Sequence, residues 1–193
     1  MNDNADCSEV YWQASMIEQA FPSSMVAIVK AVAALLVDGP RPTKDLYIGP
    51  VVVDGENVRI PKRVYFLELE PSVYDRLNKT EQLIANCIFS RHHDGRVRER
   101  HALKLLAEEK LESWTIPFLI QLLGEYVDEI SQRIDESSFK LKSDLVDEFV
   151  KANSTFIKLT GQRAKSYWNC YYPGSYKEVD DSPAWRVLSK LGT

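Results

Sequence analysis

The chain has 193 residues, 45% of them hydrophobic, and a formal net charge of −4. That length and apolar content suffice for one buried core. The small negative charge excludes a global field that would gather nucleic acid or an anionic membrane, so only a local anion site is allowed. Cys7, Cys87 and Cys170 are odd in number and far apart, which points to reduced thiols and a cytoplasmic protein rather than a disulfide-stapled one.

Residues 1–8 are polar and aperiodic and read as disordered. Their acidic start lacks the basic region of a secretory signal. The remainder, 9–193, reads as a single helical domain. Tyr11 to Phe21 suits a short amphipathic helix, and Pro22 opens a second one over Ser23–Val37 that ends at Asp38-Gly39-Pro40. The second helix is apolar nearly all round, which predicts either a core element or half of an oligomer interface. Its apolar run, Met25–Val37 with only Lys30 interrupting, is 13 residues long. That is too short to span a bilayer, so no membrane partner is expected.

Val51-Val52-Val53 and Val58-Arg59-Ile60 flank Asp54-Gly55-Glu56-Asn57. This pattern predicts a β-hairpin inserted at about residues 46–66, with Pro50 and Pro61 confining its strands to edges. Two strands alone are marginal in water, so the hairpin must lean on the helices or on a partner.

From Glu70-Pro71 onward the periodicity is helical. Thr80 is placed to cap Glu81–Arg91, whose Leu83, Ile84, Cys87 and Ile88 form one face. His92–Gly95 is a turn, and Asp94 is placed to cap a helix from Arg96 to Lys110. A further helix starts at Trp114-Thr115-Ile116-Pro117 and runs to about Ile134. Another starts at Ser143, with Leu145, Phe149, Ala152, Phe156 and Leu159 in four-three spacing and Gly161 as its stop. Tyr167, Trp168, Tyr171 and Tyr172 read as an irregular aromatic stretch, and a last short helix starts at Ser182-Pro183. The expected fold is mainly α: six to eight helices with one small inserted hairpin.

All three histidines fall in Arg91-His92-His93-Asp94-Gly95-Arg96-Val97-Arg98-Glu99-Arg100-His101. Turning the flanking helices at about 100° per residue places Arg91 and Arg98 on inward arcs and Arg96 and Arg100 toward solvent. An inward arginine needs an acidic partner or an anionic ligand, because an unpaired buried charge is costly. Glu125 and Glu129, at i and i+4 on the predicted helix through Phe118–Ile134, are the expected partners in an internal network with Arg91 and Arg98. As an alternative, Arg91, Arg96 and Arg98 beside the Asp94-Gly95 helix start could hold a phosphate or an acidic tail.

His92, His93, Asp94 and His101 are the candidate catalytic or metal-ligating groups. Adjacent His92 and His93 diverge, and His101 lies nearly two turns further on, so the i, i+3 or i, i+4 ligand spacing is missing. Ser90 lacks elbow-like glycines. The sequence therefore gives no metal and no cofactor, and it leans away from an enzyme. Tyr167 and Trp168 with Arg163 and Lys165 make the one candidate platform for nucleic acid, but an aromatic cluster more often serves a core or a protein interface.

Asp94-Gly95-Arg96-Val97-Arg98, followed by Ala102 and Leu105-Leu106, resembles the second helix of a HEAT-type repeat. Pro117-Phe118-Leu119-Ile120-Gln121-Leu122-Leu123 resembles the first helix of the repeat after it, so the resemblance lies around residues 94–123. More broadly, Ile60–Tyr65, the His-Asp-Gly stretch and Pro117–Ile130 are similar to a family of uncharacterised bacterial proteins. That resemblance implies a helical bacterial cytoplasmic protein and carries no activity. The function expected from the whole is a non-enzymatic interaction module that binds another protein or itself through Ser23–Val37 or the C-terminal aromatics. An enzyme or a small-anion or metal binder centred on His92–His101 is the alternative.

Overall fold

A computed structural model describes residues 15–39, 47–172 and 174–192. The expectations for residues 1–8, for the start of the first helix and for Pro40–Pro42 lie outside the described residues. The fold is mainly α with a small antiparallel hairpin, as the sequence predicts. The chain divides into two compact units, Met1–Arg98 and Glu99–Thr193.

In the first unit a helical turn at 15–18 leads through Pro22 and a 3-10 turn, Ser23–Met25, into α1, Val26–Ala33. The helix buries one face through Val29 and Val32, and Ala27 and Ala31 lie exposed. It is also shorter than the predicted Ser23–Val37. Val37–Asp38 forms β1, paired antiparallel with β4, Phe66–Leu67. Gly39 follows because the crossing is close: a Cβ there would lie 2.0 Å from Tyr65 O.

The hairpin is β2, Tyr47–Val53, with β3, Glu56–Pro61. Val53 pairs with Glu56, leaving Asp54 and Gly55 as a two-residue turn with φ of 51° and 80°. These left-handed values match strand twist and select Asp-Gly. Val51, Val53, Val58 and Ile60 are buried. The hairpin does lean on the neighbouring segment: Arg59 N donates to Gln19 O (2.8 Å), and the Glu56 carboxylate accepts from Ser23 N and Oγ, each at 2.9 Å.

After a short α2, Pro71–Tyr74, comes α3, Lys79–Phe89. Its cap is Asn78 rather than Thr80: Asn78 Oδ1 accepts from Glu81 N, and Glu81 Oε2 accepts from Asn78 N. This reciprocal box satisfies two orphan donors where Thr80 would satisfy one. Leu83, Ile84, Cys87 and Ile88 are buried as expected, and α3 packs on α1. The division between units falls within α4, Gly95–Ala107.

In the second unit a 3-10 turn, Ser113–Thr115, feeds α5, Ile116–Leu122, which is buried throughout. The predicted helix to Ile134 does not run unbroken. It loosens into i to i−3 bonds at Leu123, Gly124 and Glu125, reaches an extended Val127, and restarts as α6, Asp128–Glu136. A Cβ on Gly124 would lie 3.0 Å from Thr160 Cγ2, so the bend lets the chain approach Thr160 closely. Glu125 and Glu129 therefore do not share a helix face, and Glu125 is buried where Glu129 is exposed.

A 3-10 turn, Ser138–Leu141, precedes α7, Asp144–Ala152, capped by Ser143. Asn153 then breaks the helix and turns its own amide back onto Phe149 O (2.9 Å). The break rephases the periodicity, so Ala152 and Leu159 of the predicted four-three face are exposed. Helix α8, Ser154–Tyr171, instead buries Phe156, Ile157, Thr160, Gly161 and Ala164. Gly161 is an interior packing position, not a stop, and the aromatic stretch expected to be irregular is helical up to Tyr171. The last helix, α9, Pro183–Lys190, begins where predicted and packs on α6 and α8.

Candidate functional site

The histidine–arginine turn belongs to the first unit up to Arg98. Ser90 ends α3 by donating its hydroxyl to Cys87 O (2.7 Å). Val64 N donates to Arg91 O (2.9 Å) and His93 N to Val64 O (3.0 Å), which lays the extended strap Pro61–Phe66 alongside the turn.

Arg91 and Arg98 are each 0% exposed, and Arg96 and Arg100 are exposed. The guanidinium of Arg91 grips the strap: Nε donates to Pro61 O (3.1 Å) and Nη2 to Lys62 O (2.8 Å). Arg98 Nη1 donates to His92 O (2.8 Å) and His93 O (3.0 Å). Backbone carbonyls thus supply interior acceptors, the need that a buried cation creates.

His92 is buried between the same elements. Its Nδ1 accepts from Asp94 N (3.1 Å), which leaves the ring proton on Nε2, donated to Phe66 O (2.9 Å). Burial pulls its pKa down, partly opposed by the bond to Phe66. To act as a general base His92 would have to surrender the Asp94 amide. His93 is exposed and stacks on Tyr65, with ring centroids 5.0 Å apart. Asp94 caps α4 by accepting from Arg96 N (2.8 Å), and that bond holds its carboxyl below the usual range. The structure brings His92 and His93 together, with centroids 4.2 Å apart, while His101 is a buried residue of α4 in the second unit. Among the described residues, no group of three or more His, Cys, Asp or Glu side chains could hold a metal ion.

The second unit holds a feature the sequence reading only half found. Tyr126, Tyr167 and Tyr171 form a triangle with centroid separations of 6.1, 6.3 and 6.1 Å. Tyr172 extends it from Tyr171 (6.4 Å), and Tyr176 from Tyr172 (6.4 Å). Five of the nine tyrosines are gathered here. Tyr126 is 49% exposed and Tyr171 64%. Helix α8 carries Tyr167 and Tyr171 one turn apart, and the bend before α6 delivers Tyr126.

Polar bonds hold the cluster. The Tyr172 hydroxyl donates to Tyr126 O, Tyr176 Oη donates to Asp128 Oδ2 (2.6 Å), and Gln132 Nε2 donates to the same oxygen (2.8 Å). Burial raises both hydroxyl pKa values; the charge of Asp128 adds to it for Tyr172, and the hydrogen bond to Asp128 for Tyr176. Trp168 donates to Tyr176 O (3.2 Å), and Lys165 sits 3.9 Å above the Trp185 ring. The platform imagined from Tyr167, Trp168, Arg163 and Lys165 therefore has Lys165 turned to a different aromatic. The missed members, Tyr126 and Tyr176, are remote in sequence, and only the i, i+4 pair Tyr167/Tyr171 was legible.

No family model, curated protein or solved structure matches the chain. No helix among the described residues is long and apolar enough to cross a membrane.

Proposed function

We propose that the protein is a non-enzymatic interaction module whose binding surface is the tyrosine face of the second unit. One observation carries this reading: five tyrosines converge on one surface with Tyr126 and Tyr171 49% and 64% exposed. Tyrosine is the residue type that interfaces favour, because a stiff ring supplies much contact area at little entropic cost and its hydroxyl stays wet. In the histidine–arginine turn Arg91 Nε and Nη2 and Arg98 Nη1 donate to backbone carbonyls, which supports a structural role for it. An odd number of widely spaced cysteines, with Cys87 and Cys170 free, supports a reducing, cytoplasmic setting.

The test is a photo-crosslinking residue, p-benzoylphenylalanine, at Tyr171, with the same residue at Leu67, 54% exposed in the first unit, as control. Irradiation in cells should give a discrete adduct from position 171 and none from position 67. The adduct mass separates a second copy of the chain from a different protein. No adduct from position 171, or equal labelling at both positions, would overturn the reading.

A further inference from the structure

Resting on that reading, we infer that the tyrosine face is selective for a cationic partner segment, with an arginine or lysine side chain laid over the Tyr126–Tyr167–Tyr171 rings and answered by Asp128 and Glu129. The rings supply the first half of the argument. Aromatic faces carry negative potential, and a cation within about 6 Å of a ring centroid is attracted to them. Three centroids roughly 6 Å apart let one cationic group meet more than one ring at once.

Charge supplies the second half. Asp128 and Glu129 lie two and three residues after Tyr126, and both lie close enough to Tyr172 to oppose ionisation of its hydroxyl. The Asp128 carboxylate takes two neutral donors, Tyr176 Oη and Gln132 Nε2. Neither carboxylate has a cationic partner within ion-pair distance among the described residues. Arg186, the cation whose charge reaches Tyr176, is committed to Asp135, with Nη2–Oδ2 at 2.6 Å and Nε–Oδ2 at 2.9 Å. The face thus combines electron-rich rings with two carboxylates open to a cation. A polyanion would meet repulsion there, which disfavours nucleic acid even though stacked rings are its usual platform.

The probe is the capped peptide Gly-Arg-Gly-Arg-Gly-Arg-Gly, titrated into the full chain at low salt and followed by NMR of the tyrosine rings. Its lysine and glutamine counterparts and an oligouridine serve as separate arms. The arginine peptide should shift the Tyr126, Tyr167 and Tyr171 signals, the lysine peptide should do so more weakly, and added salt should reverse both. Tyr171→Ala, at an exposed position, should weaken binding by about 2–5-fold, the size of one exposed cation–π contact. Glu129→Gln should weaken it and flatten its salt dependence. No shift with the arginine peptide, binding unchanged in Tyr171→Ala, or preferential binding of oligouridine would overturn the inference. Equal binding of the glutamine peptide would also overturn it while leaving the interaction surface standing. Failure of the crosslink at position 171 would instead remove the surface itself.

Discussion

At the scale of single residues, the two buried arginines and His92 bind a strap to a turn. Arg98 offers two donor bonds to the carbonyls of His92 and His93. Arg98→Ala would strand both acceptors, each at about 1–3 kcal/mol. The expected loss is roughly 2–5 kcal/mol, a large part of a typical domain's stability. Urea unfolding of the variant should give a much lower midpoint, and an unchanged midpoint would refute the clasp. His92 adds a pH dependence. Burial lowers its folded pKa below the ordinary value of about 6.5, so as pH falls past that value the unfolded chain takes up the proton first. The contribution is complete above about pH 6.5 and is lost as pH drops through the folded pKa. Unfolding midpoints measured from pH 7.5 down to 5 should therefore decline, and His92→Gln should flatten that slope. A slope identical in the variant would assign it to other groups. The inward arcs of Arg91 and Arg98 were legible because helical periodicity fixes direction. The acceptors of Arg91 were not, since Pro61 and Lys62 lie some thirty positions from it.

At the scale of elements, the differences from expectation sit at helix boundaries, and each has a local cause. Periodicity continued across Gly124 and across Asn153, yet both are breaks. Gly124 marks where the chain passes close to Thr160, with a built Cβ only 3.0 Å from Thr160 Cγ2, and the chain restarts at Asp128 with acidic residues in its first turn. Gly124→Val should consequently destabilise the second unit by about 1–3 kcal/mol through overpacking. Far-UV circular dichroism melting would detect this, and a variant as stable as the parent would show that the approach to Thr160 is not constraining. Asn153 competes for a backbone carbonyl through its own side chain, as short polar amides do. Gly161 misled in the opposite direction, for a glycine can end a helix or let another element approach it closely, and spacing does not distinguish the two. The hairpin and its turn were legible because Asp-Gly flanked by valines encodes strand and turn locally, whereas the register shift between Ile48 and Val51 was not.

At the scale of the whole molecule, composition decided the class. A net charge of −4 with 45% apolar residues fits a packed fold with no pervasive basic field, and a mainly helical fold with one hairpin is what the chain adopts. That acidic balance also agrees in sign with a surface that takes up cations. Within each unit the core residues were mostly foreseeable: Leu83, Ile84, Cys87 and Ile88 of α3 are buried as their spacing requires. The tyrosine face was not, because its members come from the bend before α6, from α8 and from the segment after it.

By itself the sequence determined that the chain is mainly helical, where the hairpin turns, and which side of α3 is buried. Each of these depends on interactions within about a dozen residues, where propensity and periodicity act directly. Only the tertiary structure decided that Arg91 clasps Pro61 and Lys62, that Glu125 and Glu129 part company at a bend, and that Tyr126 joins Tyr167 and Tyr171. Those outcomes depend on distant segments approaching to within a few ångströms, and such approach is set by packing that no local pattern encodes.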